Sequence, residues 1–105
     1  MPNVSEIKDA MVSGFQPDKA ADVDATIQFD LGDDGQFYLV IQNGSLDAQE
    51  GVAADPKMTL KSTAEDYHAV ATGKTNAMQA FMSGKIKISG DMGLAMKLQS
   101  MFKAG

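Results

Sequence analysis

The residues that could do chemistry are few, and their spacing argues against most of the chemistry they could do. His68 is the one histidine, and it follows Glu65, Asp66 and Tyr67. A metal site or an acid-histidine-hydroxyl relay needs that imidazole turned inward, with further groups converging on it. One residue off the apolar run Ala64, Tyr67 and Ala71, His68 is expected on the solvated side of a helix. The segment Asp30–Gly35 has the acidity of a calcium loop without its alternating Asp register or its distal Glu, so it reads as a hairpin turn. No glycine-rich phosphate loop is present. Zero cysteines remove disulfide scaffolds, thiolate metal sites and cysteine nucleophiles together. A lone carboxylate in an apolar cone would suit an isomerase, but it requires an acid at an inward position. The alternation described below provides none. No catalytic residue, metal ligand or cofactor is therefore assigned, and the chain is read as a non-enzyme.

Charge is more informative when divided along the chain. Residues 1–56 hold 2 Lys against 11 Asp and Glu, and residues 57–105 hold 7 Lys against 3 acids, so the halves carry −9 and +4. All 9 basic residues are lysine. Without arginine there is no planar fork for bidentate contacts to phosphate or guanine, and nucleic acid is excluded as a partner. A basic C-terminal half is instead what an anionic membrane surface attracts, at about 1 kcal/mol per well-placed lysine. The chain is also rich in methionine, with 8 in 105 residues. Methionine packs irregular and changing shapes well because its side chain is unbranched and polarizable.

The elements that position these residues follow from periodicity. Val4, Ile7 and Met11 recur at helical spacing, and Gly14 with Pro17 ends the pattern, which predicts a helix over 3–14. From Val23 to Leu31, Val, Ala, Ile, Phe and Leu alternate with Asp24, Thr26, Gln28 and Asp30, the pattern of a strand with one wet face. Gly32-Asp33-Asp34-Gly35 turns the chain into a second strand over 36–42, with Phe37, Leu39 and Ile41 on one side. Asn43-Gly44 is a strong type I′ hairpin signal leading to a third strand over 45–50. A fourth follows at 57–61, where Met58 and Leu60 alternate with polar neighbours. Thr63 with acids just after it starts a helix over 64–72, and Gly73 stops it. A short helix over 77–83, a strand over 85–89 broken by Gly90, and a helix from Asp91 to Phe102 complete the chain. The order predicts an α+β fold, a five-stranded and mostly antiparallel sheet with helices packed on one face.

The last helix divides on a helical wheel. Leu94, Ala95, Leu98, Met101 and Phe102 share an arc of about 120°, which predicts the face that packs on the sheet. Met92 and Met96 lie about 160° and 200° from Leu94, on a side with no assigned partner. Methionines pointing away from their own helix's packing stripe suggest a cavity wall or a surface that meets lipid.

The run from Ala77 to Gln99, Ala-Met-Gln-Ala-Phe-Met-Ser-Gly-Lys-Ile-Lys-Ile-Ser-Gly-Asp-Met-Gly-Leu-Ala-Met-Lys-Leu-Gln, resembles the signature of the sterol carrier protein 2 family. The resemblance extends through Asp55–Ser62 and the 66–73 helix, and more loosely back to Val23. It implies a hydrophobic tunnel between sheet and helices that takes fatty acids, fatty acyl-CoA, sterols or phospholipids and moves them between membranes without covalent chemistry. The tunnel-wall residues it implies are Phe81, Met82, Ile86, Ile88, Met92, Met96 and Met101, with Phe29, Leu39 and Met58 from the sheet. Some family members are joined to catalytic domains, which implies a second role, presenting a lipid to a partner enzyme. Phe37 stands where members often carry tryptophan. The closing Lys103-Ala104-Gly105 differs from the Ser-Lys-Leu-like peroxisomal address of eukaryotic members.

At 105 residues the chain has the length of one domain, 1–105, able to bury roughly 60–68% of its unfolded surface. The opening Met1-Pro2-Asn3-Val4-Ser5 lacks the charged-then-apolar layout of a signal peptide, and no apolar run nears a membrane span. The expectation is a cytoplasmic protein that meets membranes only transiently, and in which acyl chains are the favoured ligand.

Overall fold

The first helix, α1 (Val4–Gly14), starts where Asn3 accepts a hydrogen bond from the Glu6 backbone N–H at 2.9 Å. That bond satisfies one of the amides a helix start leaves open. Val4, Ile7 and Met11 are buried beneath it. The computed structural model describes residues 3–103; Met1 and Pro2, and Ala104 and Gly105 of the closing tripeptide, lie outside the described residues. The helix ends at Gly14, but Pro17 is only part of the cause. The other end of the chain is clasped against it: Gln16 N–H donates to Met101 O at 2.8 Å and Lys103 N–H to Gly14 O at 2.7 Å. A Cβ at Gly14 would collide with the Lys103 carbonyl, so only glycine admits this approach. Phe15 and Phe102 close the clasp, their ring centroids 5.5 Å apart.

Five strands follow in the predicted order: β1 (Ala25–Asp30), β2 (Gln36–Gln42), β3 (Ser45–Glu50), β4 (Met58–Lys61) and β5 (Lys87–Gly90). Asn43 at φ 52° and Gly44 at φ 75° make the tight β2–β3 turn. In the sheet the strands lie in the order β3-β2-β1-β4-β5. It is mixed, because β4 runs parallel to β1, with Ile27 opposite Met58 and Phe29 opposite Leu60, while every other pair is antiparallel. β1 is shorter than the alternation suggested; Val23 and Leu31 are buried without belonging to the strand.

The wet face has one exception. Gln28, expected in solvent, is 3% exposed. The chain leaving β3 at one edge must return to β4 in the middle, and it does so across this outer face. Gln28 holds it there: its side-chain amide donates to Gly51 O at 3.0 Å and Phe37 O at 3.3 Å, and its side-chain oxygen accepts from Ala53 N–H at 2.7 Å. A buried amide is tolerated because each side finds a partner.

Helices α2 (Ala64–Ala71), α3 (Ala77–Met82) and α4 (Met92–Met101) lie with α1 on the opposite face. Thr63 caps α2, Asn76 caps α3 and Asp91 caps α4, each accepting from backbone amides of the first turn. Both α2 and α3 end in a Schellman motif, with Lys74 N–H donating to Ala69 O and Lys85 N–H to Ala80 O. This corrects the predicted strand 85–89. Ile86 N–H also returns to Ala80 O, so residues 85–86 finish the helix exit and pairing begins at Lys87. Gly90, expected to break the strand, is its last paired residue, opposite Met58. The core sits between sheet and helices, and its centre is aromatic. Phe29 stacks on Phe37 at 4.7 Å, and Tyr67 of α2 stands edge-on to Phe29 at 5.3 Å. No helix of the described residues is long and apolar enough to cross a membrane.

Two substitutions test these constraints. Gln28→Leu strands the Ala53 amide and the Gly51 carbonyl, and urea unfolding is expected to show a loss of about 1–3 kcal/mol. Gly90→Ala meets the Lys57 carbonyl and Met58 Cα, the latter at 2.8 Å, at φ +100°. Strain and collision together are expected to cost about 2–4 kcal/mol in the same measurement.

Candidate functional site

Between the helices and the β4–β5 end of the sheet is a cavity of about 400 Å³. Its size falls within the range of small-molecule pockets, roughly 300–1,000 Å³. Leu60, Ile86 and Ile88 form the sheet side, Ala10 and Met11 of α1 close one end, and Tyr67, Val70 and Ala71 of α2 form a side wall. Gly73, Thr75, Asn76, Ala77, Met78 and Phe81 make the opposite lip from the α2–α3 turn and α3. Met92, Ala95, Met96, Leu98, Phe102 and Lys103 close it from α4 and the residues after it.

The local structure explains why these side chains meet empty space. On α4 the wheel holds: Leu94, Ala95 and Leu98 are 7% exposed and Met101 is fully buried, whereas Met92 and Met96 are 48% and 72% exposed. The α2 stripe runs off the core, so Ala64 and Tyr67 are buried while Val70 and Ala71, a turn later, are only half-buried. α3 is a helix of 6 residues that buries Ala80 and leaves Met78 and Phe81 turned to the cavity. The result is an apolar chamber with a rim of half-exposed, mobile-chained methionine.

Five residues expected on the tunnel wall line this cavity: Phe81, Ile86, Ile88, Met92 and Met96. The others stand elsewhere. Phe29, Leu39, Met58 and Met101 are at most 1% exposed and are not among the wall residues, since neighbouring core side chains cover them. For Phe29 the cover is Tyr67 and Phe37. Met82 stands on the side of α3 away from buried Ala80, 78% exposed, beside a shallow groove with Gln79, Ser83 and Lys85. Tyr67, Val70, Met78, Leu98 and Lys103 were not expected on the wall. The half-apolar stripe of α2 was a signal for Val70; nothing in periodicity distinguishes a stripe that packs on a sheet from one that ends over a void.

The electrostatics are simple. No acid lines the cavity, and Lys103, exposed, is its one charged side chain among the described residues. Asn76 is a wall residue whose side-chain oxygen is already engaged by the backbone amides of Met78 and Gln79. Burial pushes the Tyr67 phenol well above its ordinary value, so it is neutral at any working pH. His68 is half-buried on α2 and is not a wall residue, and no cluster of three or more His, Asp or Glu able to hold a metal occurs among the described residues. The chamber can exclude water and surround hydrocarbon.

Comparison with known proteins agrees with this architecture. "Hydroxysteroid dehydrogenase-like protein 2" of Danio rerio is 36% identical over 103 residues, covering 93% of this chain and 24% of its own length. The chain thus spans about a quarter or less of the first curated relatives it matches. The solution structure of palmitated SCP2L2 from Aedes aegypti superposes with a TM-score of 0.75 at 25% identity, covering 97% of this chain and 96% of that one. A likeness to part of a longer chain also occurs: a double mutant of the sec-alkyl sulfatase PisA1 superposes with a TM-score of 0.84 at 21% identity, over 98% of this chain and 17% of that one, and shares the fold. Residues 6–103 match the SCP-2 sterol transfer family, and the chain belongs to that family.

Proposed function

We propose that the cavity encloses the hydrocarbon part of a lipid, a fatty acid or fatty acyl-CoA before a sterol or phospholipid, and that the protein binds and transfers it without covalent chemistry. The observation that carries this reading is an acid-free apolar cavity of about 400 Å³ whose rim is made of exposed Met78, Met92 and Met96. Each enclosed methylene contributes about 0.8 kcal/mol by leaving water. Methionine rotamers let one wall fit chains of different shape. Lys103, exposed at the wall, suits a carboxylate or phosphate left in water. The palmitated relative supports an acyl chain as the occupant, and membership of a sterol transfer family supports a lipid in general.

Entry fits a brief membrane contact. Five of the large exposed hydrophobic residues, Met78, Phe81, Met82, Met92 and Met96, lie on α3 and α4. From Tyr67 to Lys103 the chain carries 5 Lys and 1 acid, Asp91. Apolar side chains among lysines suit the headgroup layer of an anionic bilayer.

A second role, presenting a lipid to a partner enzyme, is favoured by the relatives in which the matching segment is a small part of a longer protein. A pull-down that recovers a defined oxidoreductase or hydrolase supports it, whereas vesicle-to-vesicle transfer by the isolated chain supports the carrier.

Palmitate is expected to appear as a one-to-one adduct in native mass spectrometry. At a hundredfold excess over its dissociation constant it should stabilise the fold by about 2.7 kcal/mol. An unchanged melting temperature with both palmitate and palmitoyl-CoA would sink the proposal. Met96→Asp should weaken palmitate binding tenfold or more while changing stability by less than about 0.5 kcal/mol, because the position is largely in solvent. Equal losses of both would make Met96 a structural residue.

A further inference from the structure

Tyr67 is a wall residue deep in the fold whose hydroxyl makes no hydrogen bond among the described residues. The residue is 5% exposed, and its ring is held edge-on to Phe29. Burial alone acts on the phenol, with no hydrogen bond to it among the described residues. Yet among those residues no fully enclosed side-chain oxygen or nitrogen lacks a partner. The Tyr67 hydroxyl is therefore not sealed in by the described residues, and the cavity is the open space that this residue lines.

Among the described residues no wall side chain bonds it: the wall carries no acid, the Asn76 oxygen caps α3, the Thr75 hydroxyl makes no bond to it, and Lys103 is exposed and cannot accept a hydrogen bond. A hydroxyl left without a partner in an apolar space costs free energy. Phenylalanine would fill the same place at no such cost. Water serves the hydroxyl while the chamber is empty; once hydrocarbon fills the chamber and expels that water, the partner must come from the occupant. An ionised carboxylate pushed this deep would lose its water without gaining a counter-charge, so the fitting partner is an uncharged oxygen.

We propose that Tyr67 is a specificity-determining residue, which selects lipids bearing an uncharged oxygen, an alcohol or a carbonyl, on the part that the cavity encloses. This rests on the reading of the cavity as a lipid site. A saturated acyl chain whose carboxylate stays at Lys103 leaves Tyr67 unsatisfied and is a weaker occupant than its oxygenated counterpart.

The test compares 1-dodecanol with dodecane on the full chain and on Tyr67→Phe, which keeps the ring and its contact with Phe29. The variant is expected to bind dodecanol about three- to tenfold more weakly, the worth of one neutral hydrogen bond, and dodecane as tightly as before or more so. Unchanged dodecanol affinity, or equal weakening for both ligands, overturns the proposal and leaves the carrier reading standing. Binding of neither ligand by the unaltered chain overturns both. A second measurement needs no substitution. The chain has 2 tyrosines, so ring-labelled tyrosine gives two resonances, with half-buried Tyr38 on the outer face of β2 as the control. Dodecanol should shift the Tyr67 ζ-carbon and leave Tyr38 in place, and dodecane should shift it far less. Equal shifts from the two ligands count against a hydrogen bond.

Discussion

The structure depends on Tyr67 standing edge-on upon Phe29, which in turn stacks on Phe37. Through this column α2 rests on the middle of the sheet at one bulky point. Beyond it the stripe of α2 continues as Val70 and Ala71, smaller side chains that are only half-buried and line the cavity together with Leu60 and Ile88. A large side chain followed by small ones makes a roof that is supported at one end and hollow at the other. Aromatic pairs of this geometry contribute about 0.5–1.5 kcal/mol beyond their buried area. Here they also set the height of the space that α3 and α4 then surround.

Keeping such a space open requires that the surroundings be firm, since packed interiors otherwise collapse onto voids. Two features at a distance from the cavity supply this. The clasp of Gly14 with Lys103 and of Gln16 with Met101 ties the end of α1 to the end of α4, so helices from opposite ends of the chain are held as one unit. On the other face Gln28 fastens the loop that carries the chain from the β3 edge to β4, and so holds the parallel pairing of β4 with β1. Leu94, Leu98 and Met101 then anchor α4, and the turns of the same helix that carry Met92 and Met96 are left for the cavity. One helix thus serves as both fastening and wall.

Much of this was legible before the structure. Strict alternation, the Asn43-Gly44 turn and the capping residues located the five strands and four α-helices to within a few residues, with β5 shifted to Lys87–Gly90, and the wheel of α4 separated Met92 and Met96 from the packed arc, because these signals are local. What was not legible depends on where distant segments meet. Gln28 alternates like any solvent-facing residue, and nothing near it says that Gly51–Ala53 will cross above. Phe29, Leu39 and Met58 share an inward face with Leu60 and Ile88, but which inward residues are covered by a helix and which face a void is set by helix placement. Tyr67 looked like packing because it is packing along its ring; only its hydroxyl, which bonds to nothing among the described residues, differs.

The central claim is that the space above Leu60 and Ile88, rimmed by methionine, is where a lipid chain goes. Methionine itself provides the most direct measurement, through methyl-labelled NMR of the full chain titrated with palmitate. The account predicts that the methyl resonances of Met78, Met92 and Met96 move together and saturate at one equivalent, while those of Met58 and Met101, sealed in the core, remain. Resonances that never move, or movement confined to Met82 or shared equally with Met58 and Met101, would contradict it.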